Sequence, residues 1–170
     1  MVKCWLGGRN HQVENNIFVD CHPAVQLDGR GLDKSPVWHG MVYDYMRQQL
    51  ARVPLALYEE RYPAIREVER YYASGTNGIP PEGNVVARNI VAGGQWLSVG
   101  WGAAMSMVDV HDNYVGQDAG FVDAQKMDFE LKADAPAWKI GFKEIPFRQI
   151  GLRDDEFRKR GKVEALADAL

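Results

Sequence analysis

The polar side chains richest in chemistry crowd one short stretch of the chain: Asp20, His22, Asp28, Arg30 and Asp33, with His39 next to Trp38. Two carboxylates, Asp20 and Asp28, are the pair that hydrolysis by general acid and base requires. His22, Arg30 and His39 offer a second scheme, in which a base removes a proton beside a carboxylate and a cation neutralises that carboxylate. The same residues also have a structural use. Asp20 and Asp28 can accept backbone N–H groups in turns, Arg30 can pair with them, and His22 before Pro23 can be a turn residue. Geometry separates the two uses. Chemistry needs at least two of these groups within about 10 Å of each other in an open groove. An Asp28–Arg30 pair closed off beneath neighbouring chain is structural.

A strand must position these groups. In extended chain, residues two apart share a face, so Gln26 and Asp28 point one way and Val25 and Leu27 the other, with Arg30 continuing the polar side. Trp38, Trp96 and Trp101 have flat faces able to stack on a ligand, although Trp96 and Trp101 lie in "WLSVGW", where core packing competes. "GGQWLSVGWG" has glycines without the spacing of a phosphate loop. In "VDVHDNY", Asp109, His111 and Asn113 alternate onto one face, but Asn113 has another use below, so neither a metal nor a cofactor is expected.

The larger pattern is a repeat. Val13-Glu14-Asn15-Asn16-Ile17-Phe18-Val19 is echoed by Val86-Ala87-Arg88-Asn89-Ile90-Val91-Ala92 and by Val110-His111-Asp112-Asn113-Tyr114-Val115-Gly116. Each copy reads Val-x-x-Asn-apolar-apolar, then a turn-forming patch, then a second apolar stretch: Ala24–Leu27, Trp96–Val99 and Phe121-Val122. Asn89 and Asn113 are 24 residues apart, which suits one coil of a solenoid of short strands. Valines then stack inward at the ~4.8 Å strand spacing. Asn16, Asn89 and Asn113 form a ladder in which each amide serves its neighbour, at a corner where asparagine tolerates left-handed backbone. Asn15 is expected to point outward without a role. The expected fold is all-β: a right-handed parallel β-helix of about three coils.

Asn16 and Asn89 are 73 residues apart, so an excursion leaves the coil after Gly29-Arg30-Gly31 and returns near Pro80–Asn84, spanning about residues 32–80. It reads as helical. Val42, Tyr45, Met46 and Gln49 share one face up to Pro54; Pro63 opens a second segment with Ile65, Val68 and Tyr72 aligned. After the third copy, residues 123–152 alternate apolar and polar, with Phe129 and Leu131 on one face, as an irregular terminating coil. Residues 1–155 thus form one domain, and 156–170 a C-terminal helix or tail.

The net charge of −3 and a pI near 5.8 argue against a nucleic-acid or anionic-membrane surface. No apolar run approaches the ~18 residues that cross a bilayer, and the first residues do not read as a signal peptide. Cys4 and Cys21 read as two buried thiols, one bridge between them being the alternative.

Four segments, "NNIFVDCHPAVQLDGRG", "YPAIREV", "PEGNVVARNI" and "FVDAQKMDFELKADAPAWKIGFKEIPFRQIGL", together resemble the C-terminal part of bacterial right-handed parallel β-helix proteins of the pectate-lyase-like superfamily, over roughly residues 7 to 155. The resemblance implies a carbohydrate-active protein, a glycoside hydrolase or polysaccharide lyase, with a polysaccharide or oligosaccharide as partner. Its candidate catalytic residues are Asp20, His22, Asp28, Arg30 and His39, with Trp38, Trp96 and Trp101 as stacking platforms for sugar rings. The alternative is a non-catalytic carbohydrate-binding or structural module. Such proteins have many coils and a cap, so the resemblance also implies a fragment with missing N-terminal coils, from a secreted or periplasmic parent.

Overall fold

The computed structural model describes residues 4–73 and 77–151. Nine short strands form three coils: β1 (Cys4–Leu6), β2 (Gln12–Glu14) and β3 (Ile17–Val19), then β4 (Val25–Asp28), β5 (Asn84–Ala87) and β6 (Ile90–Ala92), then β7 (Leu97–Gly100), β8 (Val108–His111) and β9 (Tyr114–Gly116). They stack as three parallel three-stranded sheets, β1-β4-β7, β2-β5-β8 and β3-β6-β9. This is the arrangement of a parallel β-solenoid. Strands of three or four residues cannot hold a sheet alone; each is held by the coil next to it and by the shared interior.

The register follows the repeat. Val13 pairs with Val86 and Val86 with Val110, while Phe18, Val91 and Val115 align in the adjoining sheet. Leu6, Leu27 and Val99 align in the third. In the middle coil Val25, Leu27, Val86 and Val91 are essentially inaccessible to solvent, each burial contributing roughly 1.5–3 kcal/mol. Cys21 lies in this core with Cys4 packed against it, both as free thiols.

The asparagines form the ladder at the corner between the β2-β5-β8 and β3-β6-β9 sheets. The N–H and Nδ2 of Asn16 both donate to Oδ1 of Asn89 at 3.0 Å, and those of Asn89 donate to Oδ1 of Asn113 at 3.0 and 2.9 Å. Asn89, fully buried, also donates Nδ2 toward the carbonyls of Val13 and Ala87. The left-handed backbone falls one residue earlier than the ladder position, at Asn15 (φ 59), Arg88 (φ 53) and Asp112 (φ 49).

Asn15 also departs from expectation, because its side chain has a partner. Its Nδ2 donates to the Lys143 carbonyl at 3.0 Å and its Oδ1 accepts from Lys143 N–H at 2.6 Å. Phe121-Val122 departs too. Instead of adding a fourth parallel rung beneath Leu6, Leu27 and Val99, β10 (Phe121–Asp123) pairs antiparallel with β11 (Asp128–Leu131). Gly120 at φ 79 turns the chain off the coil axis, and Phe121 joins a second apolar cluster with Ile90, Ala92, Ala137 and Phe142. The closing segment therefore covers the outer side of the β3-β6-β9 sheet, with Ile17, Val19 and Ile145 packed at its margin. It is a flank cover rather than a terminating coil.

The excursion leaves after β4 and returns at β5. Ile79 N–H donates to the Gly31 carbonyl at 2.7 Å, stitching its two ends together. Gly78, at φ 75, lies where a β-carbon would come within 2.5 Å of that carbonyl, so glycine is required there. The chain is helical from Trp38 to Leu50, wide-turned over Trp38–Met46 and α-helical over Arg47–Leu50, here α1. The wide turns alter the periodicity. Trp38 and Val42 are buried, while Tyr45 and Met46, expected on the same face, are exposed. Pro63–Tyr72 forms tight 3-10 turns, and Val68 and Tyr72 pack with Trp38 and Val42 as a separate small core. The expected C-terminal helix lies outside the described residues.

Candidate functional site

The outer face of the β1-β4-β7 sheet carries the rung Trp5, Gln26 and Ser98. Beside it, Asp28 pairs with Gly100, and Gly7 lies against the Asp28 side chain. Neither glycine has a side chain to crowd the carboxylate, and Asp28 is only 2% exposed. A buried carboxylate needs partners, and Arg30 supplies them. Its N–H donates to Oδ1 at 2.9 Å, Nε to Oδ1 and Oδ2 at 3.0 and 2.8 Å, and Nη2 lies 2.6 Å from Oδ2. Bonding and charge from Asp28 raise the Arg30 pKa above its ordinary value. The local backbone makes this pairing easy, because a carboxylate accepting the N–H two residues on is a turn device.

The Arg30 guanidinium also lies over the Trp5 ring, 5.2 Å from its centroid. Trp5 is 49% exposed. Across from this pair stand Val37, Met41, Val42 and Met46 of the excursion and Ile79 of its returning arm, enclosing with Trp5, Asp28 and Arg30 a cleft of about 460 Å³. That volume suits one or two small rings. The cleft is mostly apolar, with a single polar centre that is already internally neutralised.

Of the residues singled out from sequence, Asp28 and Arg30 come together here and the others do not line the cleft. Asp20 is exposed in the turn after β3, with φ 48, its N–H donating to the Ala92 carbonyl at 3.0 Å. His22, also exposed, precedes Pro23 through a cis bond in the same turn. His39 is exposed on the excursion. Trp38 is 5% exposed and stacks on Tyr72 with centroids 5.9 Å apart, so its face is occupied. Trp96 is half-buried against the solenoid core. Trp101 is half-exposed, at φ 55 in the turn after β7.

Sequence reasoning missed Trp5, Met41 and Met46. Trp5 was detectable as the odd residue in Cys4-Trp5-Leu6, where two inward apolar residues flank an outward ring. Three residues are too few for periodicity to register. Near the ladder, His111 Nδ1 lies 2.9 Å from Asp112 and Nε2 3.8 Å from Asp109, an exposed cluster of polar contacts. Among the described residues no three His, Cys, Asp or Glu side chains converge as a cation site would need.

Comparisons with protein-family models, with curated proteins and with solved structures return no match to this chain.

Proposed function

We propose that this chain is a right-handed parallel β-helix of the pectate-lyase-like type that holds a saccharide without cleaving it. The ligand lies in the cleft between the outer face of the β1-β4-β7 sheet and the excursion. The observation that carries the reading is the Asp28–Arg30 pair set against the half-exposed Trp5 ring. Asp28, buried and fully engaged, has no free oxygen to protonate a leaving group or activate water. Arg30 is held in place by it, and keeps one edge for hydroxyl groups. The Trp5 ring, half-exposed with Arg30 over one face, offers its uncovered apolar surface to the C–H face of a pyranose, and Met41 and Met46 are adaptable apolar walls opposite.

Asp20 and His22, exposed together in one turn, support the competing reading of a hydrolase or lyase. Both readings are tested on one panel of neutral and uronate-containing oligosaccharides. Binding is followed by calorimetry, hydrolysis by new reducing ends, and elimination by the ultraviolet absorbance of unsaturated products. Binding with no product, weakened by Trp5→Ala and unaffected by Asp20→Asn, supports the binding module. Product formation abolished by Asp20→Asn or His22→Ala would replace it with the enzyme.

A further inference from the structure

The cleft carries one charge of each sign, and the two are paired. Of the described residues that line it, Asp28 and Arg30 alone are charged; the others are glycines, apolar side chains and Trp5. Both Asp28 oxygens are occupied. Oδ1 accepts the Arg30 N–H and Nε, while Oδ2 accepts Nε and lies 2.6 Å from Nη2. The Asp28 side chain is 2% exposed and that of Arg30 44%. A ligand entering the cleft therefore meets the guanidinium and not the carboxylate, but the guanidinium it meets is already matched by a negative charge.

Asp28 is also held where it is. Its strand β4 is the central one of the sheet, between β1 and β7. Asp28 itself pairs with Gly100, and a β-carbon at Gly7 would lie 3.5 Å from its own. Packed so closely against backbone, it cannot swing aside to release Arg30 for another anion.

We infer that Asp28 sets the charge class of the ligand: by cancelling Arg30 it selects neutral saccharides and rejects uronates. This rests on the cleft being the saccharide site proposed above. A sugar hydroxyl can accept from Arg30 Nη1, which makes no hydrogen bond to a described residue, and it brings no charge with it. A uronate carboxylate in the same place would be the second anion on one guanidinium, leaving the site with a net negative charge. The opposite wall gives no relief. Val37, Met41, Val42, Met46 and Ile79 carry no side-chain donor, and a charged group desolvated against them has no partner. Asp28 touches no ligand in this scheme; it is a positioning residue that acts through Arg30.

The test is calorimetry of the full chain with matched trisaccharides that differ only at C6: glucose and glucuronate, galactose and galacturonate, mannose and mannuronate. In the native protein the neutral member of a pair should bind at least about tenfold more tightly, with an affinity indifferent to salt. Asp28→Asn should cancel or invert that ratio, and the uronate affinity it gains should fall as salt rises. Asp28→Asn with Arg30→Gln, neutral again, should lose the gain. Circular dichroism confirms that each variant is folded, and the native ratio and its salt response need no variant. Uronates bound by the native protein as tightly as their neutral partners overturn the role of Asp28 and leave the cleft as the saccharide site. A folded Asp28→Asn variant that keeps the native ratio does the same. Binding of neither member of any pair overturns the saccharide reading itself, and this inference with it.

Discussion

Asn15 and Lys143, 128 residues apart, are joined by a reciprocal pair of hydrogen bonds: the asparagine amide donates to the Lys143 carbonyl and accepts from its N–H. This places the flank cover in register with the first coil, at the very corner where the ladder begins. Asn15 is at φ 59, so it serves two needs at once, a left-handed bend and an anchor.

Asn15→Gly keeps the bend and loses the anchor, while Asn15→Ala loses both. The glycine variant should cost about 1–2 kcal/mol for two partly solvated hydrogen bonds, and alanine about 1 kcal/mol more for left-handed backbone. Urea midpoints measure both. Hydrogen exchange should show the loss concentrated in residues 117–150; a loss spread evenly over the coils would refute the anchoring role.

The ladder should be graded by depth. Asn89→Ala strips partners from both neighbouring asparagines and from buried carbonyls, so at least about 3 kcal/mol is expected. Asn113→Ala, at the last rung, should cost roughly half of that or less. Equal losses in chemical denaturation would show that the amides act separately rather than as a chain.

Much of this was legible in the sequence, and for a physical reason. A solenoid repeats its environment, so Val-x-x-Asn recurs wherever an inward valine and a corner amide recur, and the excursion's limits follow from the broken period. The antiparallel β10–β11 pair was not legible, because Phe121-Val122 has the composition of a stacked strand and only the Gly120 bend sends it elsewhere. The candidate site was half legible. Asp28 and Arg30 were found from alternation, but their pairing depends on the short reach between them, and their reactive-looking neighbours Asp20 and His22 belong to a different turn. Trp5 escaped because its strand is three residues long. Trp38 looked like a platform because sequence does not show that Tyr72 covers it.

Cys4 gives a pH-dependent readout. Burial, and secondarily the neighbouring Cys21, raise its pKa above the ordinary 9.0. The folded state therefore holds the proton more tightly than the unfolded chain, and this contribution, present at neutral pH, is lost as pH rises through the folded value. Iodoacetamide labelling of native protein should show its midpoint above 9.0, returning to the ordinary value in denaturant. A native midpoint at or below the ordinary value would contradict the packing of Cys4 against the core.

Asp28→Asn removes the charge partner of Arg30 while conserving shape. Asp28 is buried while Arg30 is exposed, so Asp28→Asn should lower the thermal midpoint by weakening the hold on Arg30, and Asp28→Asn with Arg30→Met should lower it by less than the two single losses combined. A double-mutant cycle by thermal unfolding checks this, and additive losses would mean that the two side chains do not depend on each other.

The most direct test of the cleft is a ¹⁵N-resolved NMR titration of the full chain with the oligosaccharides that bind in calorimetry, product being monitored in the same samples. The Trp5 indole, the Arg30 Nε–H and the amides of Gly7, Gly31 and Ile79 should shift together in a saturable manner, with the sugar recovered intact. Shifts gathered instead around Asp20 and His22, or an oligosaccharide shortened during the titration, would contradict non-catalytic binding in the Trp5–Arg30 cleft.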